Sequence, residues 1–245
     1  MKSVLIFCIA FLATLTGSIS GGSTSMVTIP IWLMFGVPLP VAVGSEKLNT
    51  SFWVGCAAYN YLRSRPIDWR LLTGLSLCGL FGVYWGTRVT ISVNSEILKP
   101  CIGVILFLLV IFTALRPRLG VLSKPPTLGR LLTGVFGLPL GFYEGFFGSG
   151  NSIFTSIVLC QTRGHDLLQA LGHYYILAWM WSVFAAIRYI HQGYYALWLV
   201  SASIPGAILG GYVGSRLGSK RGAVFVKRMF LVVGAIFSLK LLFGY

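Results

Sequence analysis

The stretch 141–155 reads GFYEGFFGSGNSIFT, a carboxylate set among aromatic and apolar residues and followed at once by glycines, an amide and hydroxyls. Holding a charge at the centre of an apolar segment costs on the order of 3 kcal/mol on insertion scales, so an ionisable side chain there is a functional candidate. Four residues fit that description: Glu46, Lys47, Glu144 and His173. Glu46 and Lys47 are adjacent, roughly 100° apart around a helix, and so do not pair with each other. Lys47 is suited to meet an anion or Glu144. Glu144 lies one helical turn before Gly148, where it can carry a proton or hold Lys47 while no substrate is bound. A structural hydrogen bond to a neighbouring helix is its plainer reading. His173 is either a packed, aromatic-like residue or a proton relay.

Two glycine-rich breaks accompany these residues, SGGSTSMVTIP at 20–30 and GSGNSIFTSIV at 148–158. Gly22, Ser23, Thr24 and Ser25 in one, and Gly150, Asn151 and Ser152 in the other, stand at a helix start. Unpaired N–H groups and the positive end of the helix dipole favour an anion there. With Lys47 they form the candidate substrate site, and Glu144, Glu46 and His173 are candidates for proton coupling or charge pairing. The same glycines would also let helices pack closely, with Ser and Thr acting only as caps.

The elements that must position these groups are membrane helices. The chain has 245 residues, 56% of them hydrophobic and 10% charged, with a mean hydropathy of +0.83. Apolar runs such as 71–85 and 97–115 approach the roughly 20 residues that cross a bilayer, without the alternation of barrel strands. The formal net charge of +14 comes from 19 Lys and Arg against 5 acids. In a soluble chain it would suggest nucleic acid. Here the basic residues cluster at 63–70, 116–130 and 216–228, while the loops between hold only Arg88, Lys99 and Arg188. That pattern sets orientation, with the basic loops cytoplasmic and both termini outside, and no nucleic-acid partner is expected. The 5 cysteines lie in apolar segments without CxxC spacing and read as small packing residues.

Shifting the sequence by about 128 residues lays its second half on its first. Gly17 falls on Gly145, Gly22 on Gly150, Gly44 on Gly172, Trp53 on Trp181, Tyr61 on Tyr189, Arg88 on Arg216 and Lys99 on Lys227. Matching loops carry opposite charge character, so the expectation is an all-α integral membrane protein of two inverted-topology repeats, 1–120 and 131–245, joined by a basic cytoplasmic linker at 121–130. The N-terminal MKSVLIFCIAFLATLTGS looks like a signal peptide, but its match in the second copy makes it part of the fold, not a cleaved leader. The first repeat divides into pieces at 3–19, 25–35, 43–62, 69–89 and 97–115, and the whole chain into about 8–10 membrane segments. The piece at 25–35 is too short to span and reads as a broken or re-entrant helix.

At GFYEGFFGSGNSIF, with support from EKLNTSF at 46–52, the tract ending at Gly86 and Arg88, and SLKLL at 238–242, the chain resembles the sulfite exporter TauE/SafE family over essentially its whole length. The resemblance implies movement of small anionic sulfur compounds, sulfite or sulfonates, across the cytoplasmic membrane of a bacterium by inverted repeats, with no cofactor. Two departures bear on the preferred anion or the charges moved: Tyr175 stands where the family often has a lysine opposite Lys47, and Glu46 replaces an uncharged residue.

A secondary transporter working by alternating access, possible proton coupling included, is the leading expectation. An anion channel or a structural membrane subunit is the alternative. A membrane-embedded enzyme is weaker: His165, Asp166 and His173 sit near a helix entry without a matching carboxylate or Cys set, so no catalytic or metal site is assigned. No GxxxxGK[ST] occurs, so the chain carries no ATP motor.

Overall fold

A computed structural model describes residues 2–21, 24–92, positions 104, 107–108 and 110–115, and 123–243. The described residues contain helices and no strand: α1 (Lys2–Ser20), α2 (Ser25–Met34), α3 (Leu39–Leu62), α4 (Trp69–Ser92), α5 (Arg130–Val135), α6 (Gly137–Phe146), α7 (Asn151–Thr162), α8 (Leu167–His191), α9 (Leu197–Arg221) and α10 (Ala223–Phe243). In lipid a helix satisfies its backbone groups within one segment, which is why apolar sequence takes this form. Among the described residues α1, α8 and α9 are both long and apolar enough to cross a membrane. α3 and α4 have 24 residues each, enough rise for a crossing, with more polar residues on them.

Polarity is distributed inside out. Leu12, Leu77, Phe81, Leu131 and Leu209 face outward, while Glu46, Lys47, Asn49, Glu144 and Asn151 are buried within. A water-soluble domain would bury the first set and expose the second. Lipid accepts the apolar exterior, and polar groups retreat to the bundle interior.

Small residues let the helices meet at backbone distance. Gly206, Gly210 and Gly214 of α9 lie against the carbonyls of Phe7, Phe11 and Leu15 in α1. Gly137, Gly141 and Gly145 of α6 lie likewise against the backbone of Leu75, Gly79 and Val83 in α4. With no hydrophobic drive between helices in lipid, such close van der Waals approach is what joins them.

Several long helices of the two halves correspond in order. α3 at Leu39–Leu62 corresponds to α8 at Leu167–His191, and α4 at Trp69–Ser92 to α9 at Leu197–Arg221. α1 packs on α9, and α6 packs on α4, which exchanges corresponding partners between halves. Gly44 lies against Tyr189 and Gly172 against Leu62, so α3 and α8 run antiparallel. Tyr61 donates its hydroxyl to the Ser18 carbonyl at 2.9 Å, and Tyr189 to the Gly145 carbonyl at 3.1 Å.

Several boundaries differ from expectation. α3 begins at Leu39, not at 43, because Pro40 lies in its first turn, where a missing N–H removes nothing from the helix. Arg130 opens α5 and is not the end of a linker. The described part of that linker is tied down: the Lys124 N–H donates to the Gly164 carbonyl at 2.8 Å and the Thr127 N–H to the Thr162 carbonyl at 3.0 Å. The basic cluster at 216–228 is not a loop but two helix ends joined at Gly222. Most of the piece at 97–115, with Lys99, lies outside the described residues.

Candidate functional site

Lys47 projects from α3 and Glu144 from α6, and their Nζ and Oε1 atoms are 2.6 Å apart. Both side chains are almost wholly buried, at 4% and 3% exposure. An ion pair away from water survives only when its remaining lone pairs are satisfied. Glu144 meets that condition: its Oε2 accepts from Asn151 Nδ2 at 2.8 Å and from the Tyr174 hydroxyl at 3.2 Å, and Ser182 Oγ stands 3.5 Å from Oε1. Asn151 Nδ2 also donates to the Leu140 carbonyl at 3.0 Å, fixing the amide between α6 and α7. The two carboxylate oxygens thus gather donors from α3, α7 and α8.

The glycine-rich break shapes this arrangement. Gly148 and Gly150 have φ of +78° and +77°, the left-handed region that favours glycine, and together they turn the chain from α6 into α7. A side chain at position 148 would also run into Lys47 Nζ. Between them, Ser149 offers its carbonyl to the Tyr143 hydroxyl at 2.7 Å, and its own hydroxyl meets Ser25 Oγ at 2.9 Å. The two breaks therefore touch, residue to residue, beside the ion pair.

Ser25, Glu46, Lys47, Thr50, Glu144 and Tyr174 line a common cavity with Trp53, Val54 and Tyr175. Its volume is about 10 Å³, room for about one water molecule. One cation and two carboxyls face it. Glu46 turns away from Lys47, as adjacent residues on a helix must, and accepts the Thr28 hydroxyl at 2.9 Å. Tyr175 closes one wall, its ring 5.7 Å from those of both Trp53 and Tyr61. Thr24 Oγ1, Asn151 Oδ1 and the hydroxyls of Ser152, Thr155 and Ser156 are buried with no hydrogen-bond partner. Buried polar atoms are seldom left so, and their concentration around the breaks is a mark of a polar ligand or water path.

The expected site residues are therefore mostly together. Lys47, Glu144, Asn151 and Ser25 converge, Gly150 precedes α7, and Ser152 and Thr24 sit at the starts of α7 and α2. Gly22 and Ser23 lie outside the described residues. His173 stands elsewhere. Its Nε2 accepts the Asp68 N–H at 3.0 Å, its Nδ1 meets the Gln169 carbonyl at 2.8 Å, and its ring lies 4.8 Å from that of His165. In the other half Ser45, at the corresponding position, accepts the Ala196 N–H at 2.9 Å. Each side chain thus ties the residue preceding a long helix, α4 or α9. Nearby, burial works against the charge on Asp68, but hydrogen bonds from Arg130 and the Leu71 N–H, with Arg163 close by, hold its carboxyl below the usual range.

Sequence reasoning missed Tyr174, Ser182, Tyr143 and Ser149 as partners of the break. Tyr174 was the detectable one, since it occupies the position of Glu46 in the second half. No group of three or more His, Cys, Asp or Glu that could hold a metal occurs among the described residues.

Helices with a lipid-compatible exterior, gathered around a buried charge pair, define an integral membrane protein with a polar centre. The family model for the sulfite exporter TauE/SafE proteins matches residues 6–241, and the chain belongs to that family. Named relatives agree in kind. A "Probable membrane transporter protein" of Haemophilus influenzae is 27% identical across 98% of this chain and 94% of its own length. "Probable membrane transporter protein ORF9" of Sinorhizobium sp is 29% identical across 97% and 91%. "Probable membrane transporter protein YfcA" of Escherichia coli K12 is 25% identical across 98% and 89%. No solved structure matches the chain. Family and relatives together identify a membrane transporter.

Proposed function

We propose that this chain is a multi-pass carrier of the bacterial cytoplasmic membrane that moves a small anion, sulfite or an organosulfonate, and works chiefly as an exporter. The observation that carries the reading is the buried Lys47–Glu144 pair beside two touching helix breaks. The family description supplies the substrate class.

The geometry suggests how such a carrier would work. Lys47 is held by Glu144, so an anion must compete with the carboxylate for it. A proton on Glu144 removes the competitor, and the Asn151 and Tyr174 donors become available to the anion. Proton and anion then favour each other's binding, and linkage makes that help mutual. The two travel in the same direction, and export proceeds when the cytoplasmic anion gradient outweighs the opposing proton gradient.

Alternating exposure rests on symmetry. The antiparallel α3 and α8 and the exchanged packing of α1 with α9 and α4 with α6 support two inverted repeats, about 1–120 and 131–245, that rock about the centre. The basic loops support an orientation with 63–70 on the cytoplasmic side and both termini outside. The small cavity argues against a standing pore, which disfavours the channel reading.

Counterflow in proteoliposomes tests the proposal: vesicles loaded with unlabelled sulfite should accumulate labelled sulfite saturably, with acetate a poor competitor. Lys47→Met and Asn151→Ala should abolish the exchange, and Glu144→Gln should remove its pH dependence. Folded wild-type protein without sulfite or sulfonate counterflow would refute the carrier reading. A Glu144→Gln variant with unchanged pH dependence would return that residue to a structural role.

A further inference from the structure

Two carboxyls and one ammonium line the central cavity, and the two carboxyls are not equivalent. Glu144 is surrounded by donors: Lys47 Nζ at 2.6 Å, Asn151 Nδ2 at 2.8 Å and the Tyr174 hydroxyl at 3.2 Å. Each favours the ionised form, and the negative charge belongs there.

Glu46 is provided for differently. It is 2% exposed, on α3, and its Oε2 lies 2.9 Å from the Thr28 hydroxyl oxygen. That hydroxyl has one proton, and the Thr24 carbonyl, 3.1 Å away, draws on it too. Serine and threonine in helices commonly give this proton to the carbonyl four residues earlier. Glu46 therefore receives part of one neutral donor where Glu144 receives three, one of them charged. Asn49 and Thr50 follow one turn along α3, and each can accept a proton as readily as give one. Among the residues lining the cavity Lys47 is the one cation, and its ammonium is against Glu144. The remaining titratable groups there, Tyr174 and Tyr175 on α8, bring no positive charge.

Counting charges then sets the protonation of the centre. With Lys47 positive and both carboxyls ionised, a buried negative charge would stand without compensation, which a low-dielectric interior does not tolerate. One proton makes the closed centre neutral, and the hydrogen bonds put it on Glu46. Carboxyls whose surroundings differ in this way take different protonation states at one pH. When an anion replaces Glu144 at Lys47 and Glu144 takes up a proton, a single negative charge again leaves the centre neutral. A doubly charged anion leaves one charge in excess.

We infer that Glu46 is a neutral acid that keeps its proton as the centre opens and closes, and that the site therefore selects singly charged oxyanions over doubly charged ones. The inference deepens the carrier reading and rests on it for the anion at Lys47. Sulfite would pass as hydrogensulfite, sulfonates would pass as they are, and sulfate would be rejected. Sulfite counterflow is accordingly compared across pH at equal hydrogensulfite.

Two measurements on the purified full chain in lipid nanodiscs test it. Infrared spectra at neutral pH should show the C=O stretch of a protonated carboxyl, and Glu46→Gln should remove it. Bound ³⁵S-labelled methanesulfonate, whose charge is fixed, should be displaced by sulfate at least about tenfold less well than by unlabelled methanesulfonate. Glu46→Gln should keep that preference, because an amide carries no charge either. Glu46→Met, also neutral, takes its place if Glu46→Gln fails to fold. A wild-type spectrum without the band, a band that persists in the variant, no methanesulfonate binding, or sulfate competing equally in the wild type each overturns the inference. So does a variant that admits sulfate, which would make an ionised Glu46 the filter. Methanesulfonate counterflow is read separately. Its absence alongside the Glu46 band and single-charge binding would sink the carrier and leave the inference, while counterflow without the band would do the reverse.

Discussion

Lys47 and Glu144 are each tolerable in the bundle only because of the other. Removing one partner leaves a buried charge uncompensated, at a cost of roughly 3–5 kcal/mol, whereas replacing both with neutral side chains of similar volume is often near neutral. Lys47→Met alone should therefore lower the thermal stability of the purified protein sharply, and Lys47→Met with Glu144→Gln should restore most of it; equal losses in single and double variants would show the pair to be energetically idle. A second residue-scale prediction concerns His165, in the loop between α7 and α8. Burial, with His173 and Arg163 nearby, pushes its imidazole down to about 4. Between pH 6.5 and 4 the unfolded chain binds a proton that the folded one refuses, so stability falls as pH drops through that window, by at most about 1.4 kcal/mol per unit. His165→Phe should flatten that part of a stability–pH profile. At this scale the sequence was informative where a residue offended its surroundings, as Glu144 and Lys47 do. Ser182 gave no such signal, because a serine in an apolar helix is unremarkable until the carboxylate it serves is located, and Tyr174 stood out only by its register with Glu46. His173 stood out for its type, yet its counterpart is Ser45, and a hydrogen-bond acceptor is all the position uses.

Among the elements, the contact between Ser25 and Ser149 ties the break before α2 to the break before α7. Any motion that opens the centre between these breaks must separate the two hydroxyls. Cysteines at both positions, in a background lacking the native ones, have side-chain sulfurs close enough to join, given the present 2.9 Å between oxygens. Oxidation of Ser25→Cys with Ser149→Cys should stop counterflow, and reduction should restore it; transport that continues in the cross-linked protein would mean that the breaks do not part. The shortness of α2 was readable from the glycines and the proline around it, and the break before α7 from Gly148 and Gly150. Their meeting was not, since a sequence gives the ends of an element but not what another element brings to that end. The early start of α3 was hidden for a similar reason: Pro40 looks like a breaker until its place in the first turn is known.

For the whole molecule, the correspondence of halves at an offset of about 128 residues is read from the Gly, Trp, Tyr and Arg positions, and helix starts such as Leu39 and Leu167, or Trp69 and Leu197, keep that offset. The charge asymmetry between matching loops predicts opposite membrane sides for Arg65 and Gln192. In a cysteine-free background, an impermeant maleimide applied to intact cells should label Gln192→Cys, and should label Arg65→Cys only after lysis. Labelling of both from outside would invalidate the orientation. The departure from symmetry is as informative as the symmetry. Thr28 contacts Glu46, while Ser156, its counterpart, lines a separate cavity with Lys227. The central cavity, with room for about one water, has a consequence for the cell as well as for the anion. If the carrier reading holds, a membrane containing many copies of such a protein would stay electrically tight, since a centre with room for about one water offers protons no wide aqueous path. Passage would then be counted in single turnovers, and the energised membrane would not be drained while such a carrier stood idle.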